Sequence, residues 1–141
     1  MVREYEAADF ESVEKIYTDC FPFPYTVDML KARINRDTLV YERDSGCPVV
    51  GYLLLMTERK LPYLSQVAVR WDFRGMGIAT QLIRTAENRL KQRGHKEWWL
   101  QTEVTNPAQK LYLDLGFQVS GFEKNIYAPG KHGIVMTRKL Q

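Results

Sequence analysis

Apolar and polar positions recur along this chain with two periods, and together they predict seven strands and about four helices. Val2 to Tyr5 reads as a short strand. A helix follows near Ala7–Tyr17, where Val13, Ile16 and Tyr17 fall on one stripe. Cys20-Phe-Pro-Phe-Pro-Tyr-Thr-Val27 reads as a loop, because its two prolines and the residues before them disfavour helix. Asp28 to Ile34 is a second short helix. Leu39–Arg43 and Val49–Thr57 are strand-like runs joined by Asp44-Ser45-Gly46, hence a hairpin, and Tyr63–Val69 is a fourth strand.

The strongest helical pattern places Ile78, Leu82, Ile83, Ala86 and Leu90 on one face, with Gly94 just past its end. Glu97–Glu103 is then a fifth strand, which makes a strand–helix–strand crossover and a parallel pair. Pro107–Leu115 is a further helix, with Asn106 as its N-cap and Gly116 after its last turn. Phe117–Phe122 and Gly133–Leu140 close the chain as a hairpin around the loop Glu123–His132. The expected class is α/β: a mixed, mostly antiparallel sheet of about seven strands around a central parallel pair, with helices on both faces.

Composition narrows the picture. A chain of 141 residues suits one domain spanning residues 1–141, and 45% hydrophobic with 26% charged residues is ordinary for a soluble globular protein. No apolar run approaches the ~18 residues that cross a bilayer. The start, MVREYEAADFESVEK, carries acids where a signal peptide is basic and then apolar, so a cytoplasmic location is expected. Two cysteines, Cys20 and Cys47, and two histidines, His95 and His132, suggest neither a metal site nor a disulfide framework. The net charge of +3 gathers partly in Lys91, Arg93 and Lys96, without interleaved aromatics, which reads as a solvated helix end and not as a nucleic-acid surface. The expected assembly is a monomer or a homodimer.

The chemistry concentrates between Val67 and Ala79. Here an apolar strand ends in a glycine-bearing turn that opens directly into the long helix. A helix start exposes backbone N–H groups without internal partners at its positive end. Gly75 and Gly77 remove side chains that would keep a bulky anion away, so a phosphate is the expected guest. Arg74, Gly77 and Ala79 resemble the Q/R-x-x-G-x-G/A signature of the GCN5-related N-acetyltransferases. Asn106, Ala108, Leu111, Tyr112, Gly116 and Phe117 resemble the second cofactor motif of that family, N-x-x-A-x-x-L-Y-x-x-x-G-F. One departure is visible: Asn106 lies six residues before Tyr112 where many relatives have seven, and Thr105 holds the usual place. Which of the two polar side chains meets the cofactor stays open.

The resemblance implies acetyl-coenzyme A as cofactor. Its pyrophosphate would lie on the backbone of Arg74, Gly75, Met76, Gly77, Ile78, Ala79 and Thr80. Its pantetheine arm would lie along Val67, Ala68 and Val69, between two splayed strands, with Asn106 and Tyr112 also at the cofactor. Tyr112 is implied as the general acid at the departing thiol, since a phenol is protonated at neutral pH. Read alone, its helix face with Ala108, Leu111 and Leu115 is simply core. The base is less defined. Some members of the family use a glutamate on strand four or five, at places where this chain has Tyr63 and Gln101, so Glu103, two residues along the same strand face, is the candidate, with a water relay as the alternative.

Acceptor chemistry follows from that weak base. An α-amine titrates near ~8 and is partly neutral at pH 7, whereas a lysine near ~10.4 is almost wholly charged, so an α-amine suits this site better. Phe23 and Tyr25 lie in a loop that resembles the substrate loop of the family branch acetylating ribosomal-protein N-terminal alanines. Tyr127 resembles the acceptor-facing tyrosine of that branch's late hairpin. The expected acceptor is thus a primary amine, with a peptide or protein N-terminus ahead of a small-molecule amine. Tyr63 and Gln101 would line its path. A coenzyme-A-binding regulatory module is the reading from another class.

Overall fold

The computed structural model describes residues 1–21, 25–44 and 48–140. Seven strands form one sheet: β1 (Val2–Glu4), β2 (Leu39–Glu42), β3 (Val49–Met56), β4 (Tyr63–Val69), β5 (Glu97–Glu103), β6 (Gln118–Ala128) and β7 (Lys131–Lys139). Their order is β1-β2-β3-β4-β5-β7-β6, antiparallel throughout except for the parallel pair β4–β5. Among the described residues four α-helices complete the fold: α1 (Phe10–Cys20), α2 (Val27–Arg33), α3 (Ile78–Gln92) and α4 (Gln109–Asp114).

The sheet is covered on both faces because its strands carry apolar side chains on both. On one face Val13, Ile16 and Tyr17 of α1 and Leu30 of α2 bury Val40, Tyr52, Leu54 and Ala68. On the other, the apolar stripe of α3 and Tyr112 and Leu115 bury Leu53, Leu55, Val69, Trp98, Leu100 and Met136. Gly51 permits the close approach of α3: a Cβ there would stand 3.2 Å from Ile78 Cγ2 and 3.3 Å from the Ala68 carbonyl. No helix among the described residues is long and apolar enough to cross a membrane.

The feature that creates the site is a register shift. Leu54 pairs with Gln66 but Leu55 pairs with Leu64, so Ser65 is an extra residue in β4. A bulge bends its strand and increases the local twist. β4 meets β5 at a single register pair, Tyr63 with Trp99, and beyond it the two strands diverge. β5 then finds its full partner on the other side, in β7.

The sequence reading needs three corrections. Glu123–His132 is not a loop: β6 and β7 run on to Ala128 and Lys131, with Pro129 and Gly130 left for the turn. The first helix begins as a 3₁₀ turn at Ala7–Asp9, tied to Arg3 through the Asp9 carboxylate at 2.8 and 2.9 Å. The helix expected from Pro107 begins as α-helix only at Gln109, after a turn in which Asn106 Oδ1 accepts from the Ala108 N–H at 2.9 Å. Phe23, the prolines beside it, and the expected turn at Ser45 and Gly46 lie outside the described residues, as does Cys47.

Candidate active site

A cleft of about 1110 Å³ passes through the gap between β4 and β5 and opens on both faces of the sheet. On the α3–α4 face it is lined by Val67, Val69, Gly75, Gly77, Ile78, Ala79, Thr80, Asn106 and Tyr112; on the α1–α2 face by Tyr25, Tyr63, Gln101, Glu103 and Tyr127. The predicted site residues therefore meet in one channel. Among the described predicted residues, only Met76, 63% exposed, does not line it. Phe23 lies outside the described residues.

The turn before α3 presents its backbone to this cleft. Gly75 and Gly77 hold φ angles of +78° and +79°, and a Cβ on either would meet nothing within 4 Å. The glycines are needed for backbone conformation, and they leave the approach open. The first intrahelical bond is from Gln81 N–H to the Gly77 carbonyl at 3.0 Å, so Ile78, Ala79 and Thr80 keep free donors, and no side chain caps them. The Arg74 guanidinium is turned inward: Nε donates to the Val69 carbonyl at 3.1 Å and Nη2 approaches Cys20 Sγ at 3.3 Å. Its side chain fixes the turn to the end of β4.

Alternation decides which backbone groups of β4 face the gap. Arg70 N–H donates to the Val50 carbonyl, so the groups of Ala68 also point to β3, and those of Val67 and Val69 point to the divergence. Of the three residues expected to hold the pantetheine arm, Val67 offers its main-chain groups and Val69 its N–H, the Val69 carbonyl already accepting from Arg74 Nε, while those of Ala68 face β3. Unpaired strand edge, open glycine turn and uncapped helix start together fit coenzyme A, whose amide-bearing arm and pyrophosphate need such donors and acceptors.

Tyr112 lines the α3–α4 half of the cleft, near enough to Tyr127 of the other half to feel it. Its ring packs edge-on against Phe117 at 6.0 Å, while the residue lines the channel. Burial, and after it the neighbouring Tyr127, pushes its pKa up to about 12, so the phenol keeps its proton at neutral pH. Tyr127 is also pushed up to about 12, by burial first and then by Tyr25, Glu103 and Glu123. Its ring stands over β7, where a Cβ on Gly133 would lie 3.2 Å from Tyr127 Cε2 and 3.3 Å from Gln101 Nε2.

Glu103 is half-buried beside this tyrosine. Its Oε1 accepts from Thr105 Oγ1 at 3.1 Å and lies 3.9 Å from Lys131 Nζ. Gln101 instead donates to Glu123 Oε1 at 2.8 Å. Thr105 thus serves Glu103, and Asn106 is the one of the two polar candidates that lines the cleft. The sequence reading missed Trp99, which stacks on Tyr63 with ring centroids 4.9 Å apart and lines the same cleft. Its signal was the two-residue period that already joined Gln101 to Glu103. Arg33 and Gln66, also missed, carry no such signal in their neighbours.

Comparison with known proteins places this arrangement. Residues 10–117 match the acetyltransferase (GNAT) family. An N-alpha-acetyltransferase of Sulfurisphaera tokodaii is 26% identical, covering 99% of this chain and 92% of the relative. The [ribosomal protein bS18]-alanine N-acetyltransferase of Haemophilus influenzae is 24% identical, covering 90% and 87%. The crystal structure of the ribosomal-protein-S18-alanine N-acetyltransferase from Escherichia coli superposes with a TM-score of 0.88 at 18% identity, covering 100% of this chain and 94% of that one. With the glycine turn, the splayed pair and Tyr112 on one channel, the chain belongs to the GNAT family and is an N-acetyltransferase whose donor is acetyl-CoA.

Proposed function

We propose that the acceptor is the α-amine of a peptide or protein N-terminus, delivered from the α1–α2 face in the cytoplasm. The observation that carries this reading is the division of the cleft. Its donor half is built from backbone amides and its acceptor half from tyrosines, Tyr25, Tyr63 and Tyr127, whose hydroxyls suit main-chain amides of an incoming peptide. Two relatives that cover 99% and 90% of the chain are named an N-alpha-acetyltransferase and a [ribosomal protein bS18]-alanine N-acetyltransferase, which supports the same choice.

The pyrophosphate of the donor would rest on the amides of Gly75 to Thr80, and its arm would hydrogen-bond to Val67 and Val69. Asn106, whose oxygen accepts from the Ala108 N–H and whose amide nitrogen has no partner among the described residues, would lie beside it. Bound acetyl-CoA supplies an acyl thioester as electrophile. Tyr112 Oη holds a proton in the α3–α4 half of the cleft, where a departing sulfur needs one. Glu103 is the carboxylate within the acceptor half that can receive a proton from the incoming ammonium, directly or through water. Tyr127 orients the amine's own chain.

A panel of acceptors assayed by thiol release tests this reading. Turnover with N-terminally free peptides, and none with the same peptides blocked at the N-terminus, is the expected result. Acetylation confined to polyamines or aminoglycosides would overturn it.

A further inference from the structure

A second cavity, of about 360 Å³, adjoins the acceptor half of the cleft. Strand alternation puts Glu97 and Trp99 on the same face of β5 as Gln101 and Glu103, and the register with β7 sets Thr137 opposite Trp99 and Val135 opposite Gln101. The cluster under α1 and α2 buries side chains of β2, β3 and β4 but none of β5, β6 or β7. On this face the outer three strands therefore keep an uncovered hollow. Leu61, Trp99, Val135 and Thr137 form its walls, and two carboxylates, those of Glu97 and Glu123, line it as well.

The cavity and the cleft share a wall. Trp99 lines both, and Tyr63 of the cleft stacks on it with ring centroids 4.9 Å apart. Gln101 of the cleft donates through Nε2 to Glu123 Oε1 of the cavity at 2.8 Å. Neither Glu97 nor Glu123 makes an ion pair among the described residues. Lys139 stands opposite Glu97 in the strand register but does not line the cavity. Two carboxylates without counter-charge beside an aromatic and aliphatic wall are complementary to a long cationic side chain. The methylene stem of such a side chain covers apolar surface, and its charged head suits both an indole face and a carboxylate.

We infer that this cavity receives the side chain of an arginine or lysine at the third or fourth residue of the acceptor peptide. The inference rests on the reading of the cleft as a site for peptide α-amines, and it adds a sequence preference to that reading. Strand geometry gives the position. Glu103, beside the reacting amine, and Trp99, in the shared wall, are four residues apart on β5, a rise of about 13 Å. An extended peptide that starts at Glu103 covers that distance by its fourth residue. The reach of a long side chain brings the third residue within range as well. A residue at the second position would still face the cleft.

The test uses the full chain, with acetyl-CoA for turnover and coenzyme A for binding. N-terminally free peptides that differ only by Arg or Leu at the second, third or fourth position are compared in kcat/KM and, by fluorescence anisotropy, in affinity. Spermidine is the small-molecule arm. The expected result is a preference for Arg of about fivefold or more at the third or fourth position, the scale of one cation–π contact with surface charge pairs, carried mainly in KM. Raising the salt from about 0.05 to about 0.5 M should shrink it, since charges open to water are screened. The double variant Glu97→Gln, Glu123→Gln should bring the ratio towards one and leave the Leu peptide's turnover unchanged. A preference that survives in that variant, or that appears only at the second position, overturns the cavity's role. Spermidine turned over as readily as the Arg peptide overturns the peptide side chain as its occupant. Arg-selective binding without turnover of any peptide would uphold the cavity and sink the acetylation reading; equal binding and turnover of Arg and Leu peptides would do the reverse.

Discussion

The Arg74 guanidinium donates through Nε to the carbonyl of Val69 at 3.1 Å, joining the last residue of β4 to the turn that opens α3. This bond holds together the two backbone segments proposed above to receive the donor, the strand edge for its arm and the helix start for its pyrophosphate. The arginine of the cofactor signature thus acts here by shaping the turn.

Arg74→Ala should accordingly weaken acetyl-CoA binding. A charged hydrogen bond contributes roughly 1.5–3 kcal/mol, so Kd should rise about 10- to 100-fold. Arg74→Lys should recover little, because one ammonium cannot meet both the carbonyl and the Cys20 sulfur in the fork geometry. Calorimetric titration of the variants with acetyl-CoA checks this; an unchanged Kd would mean that the turn holds its shape alone.

Tyr112→Phe removes a hydroxyl and leaves the ring against Phe117. Kd for acetyl-CoA should stay within about threefold, while kcat falls about 10²- to 10⁴-fold, the range for a positioned general acid. A loss in Kd with kcat retained would assign the residue to binding instead. Glu103→Gln should lower kcat/KM by about 10²-fold with donor binding intact, and unaltered turnover would leave proton removal to water.

The pH profile separates the acceptor's titration from the enzyme's. Tyr112 and Tyr127, both pushed up to about 12, remain protonated across the working range. No descending limb in kcat/KM should appear below about pH 10. The rising limb should follow the amine, bending near about pH 8 and levelling about a unit higher for a peptide α-amine, but still climbing at pH 10 for a lysine side chain. Steady-state rates from pH 6 to 10 with both acceptors decide it.

What the sequence disclosed followed from local chemistry. β4 and β5 begin and end where their alternation and flanking turn residues predict, and the glycine turn announces itself through residue types that suit an open anion site. The bulge at Ser65 does not, because an extra residue with ordinary side chains leaves no mark in the pattern. The closing hairpin looked like a loop because β6 is an edge strand exposed along most of its length, with no buried face to impose a period of two. Arg33, Gln66 and Trp99 come from three separate elements. Their meeting in one cleft is a property of the packing.

That packing has a charged keystone at Glu87. Its Oε2 accepts from Trp98 Nε1 at 3.1 Å and from Arg138 Nε at 2.9 Å, with the carboxylate side chain only 4% exposed. The three residues tie α3 to β5 and β7, beside the gap proposed to take the donor. Glu87→Ala would leave a buried indole N–H and a half-buried guanidinium unmet, costing about 3 kcal/mol or more. For a chain of this size that corresponds to a fall in Tm of about 10 °C. Because acetyl-CoA binds the folded chain, a hundredfold excess over its Kd should return about 2.7 kcal/mol, recovering most of the lost stability. Thermal melts with and without ligand measure both effects. A variant that melts normally would show that the apolar contacts of α3 suffice to set the gap, and one that ligand cannot rescue would show that the gap itself has been lost.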